Sequence, residues 1–163
     1  MPYWQLFYHL IWSTKYREPL LAPDVEPIVY ELLRTKAIGL EATVFAIGGM
    51  PDHVHMVVSI PPKIAVARFV GQIKAVTSTK FNKMNLPTIL YWQEEYGAFS
   101  FDAKRLPNFI AYVQSQKEHH AQRTTIAVLE RCSGETKRML REPAPTYALD
   151  DSAWRAELTS LEE

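Results

Sequence analysis

The residues best equipped for chemistry lie in "MPDHVHMVVSIPP", residues 50–62, where His53 and His55 stand one residue apart in an apolar run. Side chains alternate between faces along a strand, so a strand here sends His53, His55, Val57 and Ser59 to one side. Val54, Met56, Val58 and Ile60 point the other way and form a core face. Two imidazoles roughly 7 Å apart along one strand face can share a metal ion. Two polar side chains on a half-exposed face give the same pattern. A second pair follows in "AYVQSQKEHH", where Tyr112 and Gln116 are four residues apart and hence neighbours on one helix face. They sit at the flank of the apolar stripe, where a side chain can reach across a sheet surface; an ordinary amphipathic boundary residue occupies the same place.

The elements that must position these residues can be read from punctuation and period. "PYWQLFYHLIWST" is aromatic and β-branched and predicts a strand. Pro23 and Asp24 open a helix with Ile28, Leu32 and Leu33 at helical spacing, ended by Gly39. "LEATVFAIGG" predicts a second strand, and the tight "GGMPD" turn leads into the histidine strand, which Pro61 and Pro62 stop. Val66, Phe69, Val70, Ile73 and Val76 recur at three and four, predicting a helix; "ILYWQEEYGAFSF" has strand character. A last helix runs through "DAKRLPNFIAYVQSQKEHHAQ", with Leu106, Phe109, Ile110 and Val113 as its buried stripe. The order β-α-β-β-α-β-α is the split βαβ, ferredoxin-like pattern plus one helix. It predicts an α+β fold with a mostly antiparallel sheet and helices packed on it.

With 163 residues, 47% of them hydrophobic, the chain can build one core and falls short of two. The division expected is a domain over 1–121 and an extension over 122–163. Net charge is zero, so no nucleic-acid partner is announced globally, but the charge is unevenly distributed. No acidic residue falls between Asp52 and Glu94, whereas Lys63, Arg68, Lys74, Lys80 and Lys83 do. Such a block can steer a polyanion, or can be a solvated helix face balanced by acids elsewhere. From Ala148 onward five acids face the single Arg155, which reads as a tail or packed arm. The lone Cys132 permits no internal disulfide and suits a reducing interior. No basic leader and no membrane-length apolar run is present, so the expected location is cytoplasmic.

Three blocks in order, "YHLIWSTKYREPLL", "GGMPDHVHMVVSIPP" and "YVQSQ", with a looser fourth in "LYWQEEYGAFSF", make the chain resemble the single-tyrosine transposases of the HUH endonuclease superfamily, the insertion-sequence 200/605 group. The resemblance runs over roughly residues 3–120. It implies His53 and His55 as metal ligands, Gln116 as the third, and Tyr112 as nucleophile. His120, four residues beyond Gln116, is the alternative third ligand. It also implies Mg²⁺ or Mn²⁺ as cofactor and single-stranded DNA with hairpin ends as partner. Cleavage and rejoining would pass through a 5′-phosphotyrosine, in a homodimer whose active sites can be shared between subunits. Expected DNA contacts are Lys15, Tyr16 and Arg17 at the "STKYRE" corner, and Arg68, Lys74, Lys80 and Lys83 on the basic helix. The chain departs from the family pattern in being less basic overall and in its long acidic extension. A hairpin-binding protein without turnover, or one domesticated from a mobile element, is the alternative. A hydrolytic zinc site made by the histidine pair and a distal histidine lacks a matched carboxylate base.

Overall fold

The computed structural model describes residues 2–134 and 152–161. Two compact units are present, Met1–Ser133 and Gly134–Glu163. The first runs past residue 121, so the segment following the last predicted helix belongs to the main body. In the second, the described element is a helix, α5 (Ser152–Ser160), with no buried side chain.

Within the first unit the chain builds β1 (Phe7–Ser13), α1 (Glu26–Gly39), β2 (Thr43–Met50), β3 (His53–Ser59), α2 (Val66–Asn82), β4 (Gly97–Phe101), α3 (Leu106–Gln114) and α4 (Gln116–Gln122). The strands form one sheet in the order β2-β3-β1-β4, every pair antiparallel. This is the split βαβ arrangement, with β1 and β3 central. Both are almost entirely buried, because helices cover one face and the tyrosine-bearing segment covers the other.

The alternation read from β3 holds. Val54, Met56, Val58 and Ile60 join Leu10 and Trp12 in the main core under α1 and α2, where Leu33, Phe69, Val70, Ile73 and Phe81 are also buried. Thr77 is buried on α2 where the stripe predicted Val76, which is only partly covered. The opposite face carries a smaller cluster of Ala46, Val57, Tyr112, Val113 and Leu129, flanked by Phe101, Leu106, Phe109 and Ile110. The histidine face is therefore buried rather than half-exposed: His53 is 3% and His55 0% accessible.

Two sequence expectations need correction. The strand expected over 89–101 exists only from Gly97 onward, with a single bridge, Thr14 to Trp92, ahead of it. Residues 93–95 instead turn their carbonyls onto the Lys74 ammonium, at 2.5, 3.0 and 3.1 Å, which takes them out of a strand ladder. The last helix is two helices. Asp102 caps a short 3₁₀ turn before α3 by accepting from the Arg105 N–H, and Ser115, at φ −107° and ψ 24°, breaks the run between α3 and α4.

The helix α3 lies against β2 because Gly48 has no side chain. A Cβ there would meet the Val113 carbonyl oxygen at 2.1 Å, a backbone atom that cannot rotate away. Gly48→Ala should therefore cost about 1–3 kcal/mol or more in urea unfolding. Gly71→Ala, on α2 with open space around it, should be neutral or stabilising by up to about 1 kcal/mol.

Candidate active site and metal centre

Strand β3 sets the first two side chains and the elements after β4 bring the rest. The His53 and His55 rings lie 5.1 Å apart, closer than the strand repeat alone would place them, because both lean toward one point. His53 is held by Asp52, whose Oδ1 lies 2.7 Å from Nδ1. Burial alone would push the Asp52 carboxyl up, but the His53 hydrogen bond and nearby Arg17 outweigh it and hold it below its usual range. An ionised carboxylate only accepts, so His53 donates through Nδ1–H and turns Nε2 inward.

His55 has a partner in His9 of β1, with Nε2 of His9 2.8 Å from Nδ1 of His55. Burial, then the neighbouring His55, lowers His9 to about 3, so it is neutral and able to accept from the His55 Nδ1–H. His55 Nε2 then also faces inward, toward Glu130. Burial likewise lowers the pKa of His55 and keeps it a neutral ligand. Asp52 and His9 thus do for the two imidazoles what partner groups behind metal-bound histidines commonly do, fixing tautomer and ring direction.

Opposite them stand Tyr112, His120 and a residue of the following turn, Glu130. One Glu130 oxygen, Oε2, lies 3.3 Å from His53 Nε2, 3.2 Å from His55 Nε2 and 3.6 Å from His120 Nε2. The other, Oε1, accepts from the Tyr112 hydroxyl at 2.5 Å. Burial would raise the Glu130 carboxyl, but His53, His55 and Tyr112 hold it well below the usual carboxylate range. Burial and the Glu130 contact push the Tyr112 hydroxyl up to about 12, partly offset by the Ile126 N–H, which donates to it at 3.0 Å, and by Gln116. Tyr112 stacks on His119, with ring centroids 4.9 Å apart.

The donor set fits a divalent ion. His53, His120 and Glu130 present ligand atoms all within 4.8 Å of one another. Nε2 of His53, His55 and His120 and Oε1 of Gln116 are buried polar atoms with no hydrogen-bond partner. Buried polar atoms rarely go unpaired without reason, and here the three imidazole nitrogens converge. Gln116 is 1% accessible, and its Nε2 donates to the Tyr112 carbonyl at 3.2 Å.

The structure therefore brings together Tyr112, His53, His55 and His120, with Gln116 beside the tyrosine. All belong to one chain. Lys15, Tyr16 and Arg17 form a 3₁₀ turn at the end of β1, with Tyr16 and Arg17 at φ 56° and 53° and the Tyr16 ring exposed. Arg17 connects this corner to the site through Asp52 Oδ2 at 3.4 Å, and its other nitrogen donates to Cys132 Sγ. The basic helix stands apart: α2 packs on the sheet face opposite the histidines, with Arg68, Lys80 and Lys83 exposed there. Lys74, expected with them as a DNA contact, is instead 8% accessible, with its ammonium donating to three carbonyls. Sequence reasoning missed His9, Asp52 and Glu130. His9 and Asp52 lie inside the quoted blocks, but their value depends on pairing across strands and along the turn. Glu130 had no motif to flag it.

A split βαβ sheet thus carries an inward-facing histidine pair with a tyrosine-bearing helix laid across it. The family described as "Transposase IS200 like" matches residues 2–116, and the chain belongs to that family. It is 36% identical over 77 residues to the ISDra2 transposase TnpA of Deinococcus radiodurans, a match covering 47% of this chain and 55% of that protein. The chain spans about half the length of the curated relatives it matches. Among solved structures it is similar to a Deinococcus radiodurans protein assigned as a transposase, at TM-score 0.55 and 25% identity, covering 71% of this chain and 95% of that one. It shares its fold, at TM-score 0.55 and 12% identity, with a REP-associated tyrosine transposase solved bound to a REP hairpin; the match covers 74% of each chain. Among the described residues no helix is long and apolar enough to cross a membrane.

If Asp52 sets the His53 tautomer, Asp52→Ala should weaken Mn²⁺ binding, measured calorimetrically without DNA, by about 10–100-fold. The melting temperature in chelator should change little, because Asp52 is part-exposed at a turn.

Proposed function

We propose that this protein is a DNA transposase that cleaves and rejoins single-stranded DNA through a phosphotyrosine on Tyr112, assisted by a divalent ion held at His53 and His55. The observation that carries the reading is the meeting, within one chain, of the Tyr112 hydroxyl and the inward-facing Nε2 atoms of His53 and His55 on the two oxygens of Glu130. In the reaction the Tyr112 oxygen attacks phosphorus in line with the leaving 3′ oxygen. An O–P bond to the tyrosine forms, the P–O3′ bond breaks, and the proton lost by the phenol is balanced by the one gained at the 3′-hydroxyl. The phosphodiester energy is retained in the tyrosine ester, so another 3′-hydroxyl can reverse the step without ATP.

A hydroxyl held near 12 is almost wholly protonated at neutral pH, so this chain must lower the cost of removing its proton in the complex. When bound, a divalent ion supplies Lewis-acid polarisation of a phosphate oxygen and orients the phosphate. His53 and His55 would hold it through Nε2, with His120 or Gln116 as the third protein ligand. Neutral imidazoles leave the ion's charge to act on the phosphate. The set suits Mn²⁺ or Mg²⁺, and an imidazole-rich site also takes Zn²⁺.

For the DNA, the Lys15–Arg17 corner is the favoured contact because Arg17 and Asp52 tie it to His53. Lys15 and Arg17 would hold phosphate and the exposed Tyr16 ring would stack on an unpaired base. Hairpin ends as substrate, and the homodimer, are carried over on the family resemblance; no second subunit is needed to bring Tyr112 to the histidines.

Tyr112→Phe should abolish the covalent adduct with labelled hairpin-bearing single strands, seen on denaturing gels, and leave DNA affinity within about threefold. Retention of the adduct would overturn the reading, and so would failure of wild type to form one with any divalent metal. Lys15→Ala should weaken hairpin binding across sequences and reduce the salt-dependence slope by about one.

A further inference from the structure

Among the described residues Glu130 is the carboxylate that faces the inward histidine nitrogens, and none of the sequence motifs supplies it. Its segment is built into the body. Leu129 is buried with Ala46, Val57, Tyr112 and Val113; the Ile126 N–H donates to the Tyr112 hydroxyl; and the Arg131 carbonyl sits against Gly97, where a Cβ would collide with it at 2.0 Å. Glu130 is therefore delivered by packing on both sides of it.

The geometry of this placement suits a shared cation. One Glu130 oxygen, Oε2, faces His53 Nε2 at 3.3 Å, on the side of the ring away from Asp52. Oε2 has the same relation to His55 at 3.2 Å and to His120 at 3.6 Å. Donor atoms sharing one ion at bonds of about 2.1 Å stand about 3.0–3.4 Å apart, which the His53 and His55 spacings match, with His120 slightly farther out.

We infer that Glu130 is a protein ligand of the metal, joining His53, His55 and His120 in the DNA-free protein, while its second oxygen positions the Tyr112 hydroxyl against the same centre. This rests on the reading of His53 and His55 as metal ligands and changes its consequence. The distal ligand set is a carboxylate and an imidazole from the segment after the tyrosine, and Gln116 is left to position Tyr112. One negative charge enters the site, which favours tighter holding of the ion, and the nucleophile is tethered to the ligand. Glu130 is thus a ligand that is also a positioning residue, supplied in cis.

The test is Mn²⁺ titration by calorimetry on the full chain without DNA, for wild type, His53→Ala, Glu130→Gln and Glu130→Asp, with melting in chelator as a check on folding. Glu130→Gln should weaken Mn²⁺ binding by about tenfold or more, and Glu130→Asp, which keeps the charge, should recover part of the loss. If Glu130→Gln binds Mn²⁺ as tightly as wild type while His53→Ala does not, the carboxylate is no ligand and the inference fails alone. If Glu130→Asp is no better than Glu130→Gln, the loss reflects packing and the inference also fails. If His53→Ala leaves the affinity unchanged, the metal reading of the histidine pair fails first.

Discussion

The hydrogen bond from His53 Nδ1 to the Asp52 carboxylate decides which nitrogen of that imidazole is left over, and the site depends on that choice. Once Nδ1 is used, Nε2 points into the space bounded by His55, His120, Glu130 and Tyr112. His9 makes the same demand of His55 from the neighbouring strand. The β1–β3 pairing exists to bury a core on its other face, and it is the same pairing that brings His9 within reach of His55. Packing energy from Val54, Met56, Val58 and Trp12 therefore underwrites the tautomers of a polar site one side chain away.

Burial acts on this site in two directions. It keeps His9 and His55 neutral, which suits ligands, and it raises the Tyr112 hydroxyl, which opposes ionisation of a nucleophile. A divalent cation held by these residues would reconcile the two, since its attraction for an ionised oxygen grows in a low dielectric and it would offset the carboxylate of Glu130. The Arg17–Asp52–His53 chain carries the positive corner of the protein to the edge of the site. A chain with no net charge can then present a local field to a polyanion, through Lys15 and Arg17 rather than through the basic helix behind the sheet.

Much of this was legible in the sequence because it rests on local period. The H-x-H alternation placed both imidazoles on the face away from Val54, Met56 and Val58, and the split βαβ order followed from turn and stop signals. Tyr112 stood out through its family motif. What escaped depended on contacts distant in sequence or on backbone detail. His9 matters only through a strand 46 positions away, and Glu130 only through a turn whose Leu129 packs on Val57. Lys74 looked like a surface cation because it lies in a basic run, yet the irregular 93–95 segment needed its ammonium more than solvent did. The break at Ser115 carries no proline or glycine to announce it.

The convergence of the two Nε2 atoms on one ion is tested most directly by the anomalous difference map of a Mn²⁺-loaded crystal of the DNA-free protein. A single strong peak within about 2.3 Å of Nε2 of both His53 and His55 is the result this structure predicts. A peak elsewhere, one bonded through Nδ1, or none at saturating Mn²⁺ would contradict it.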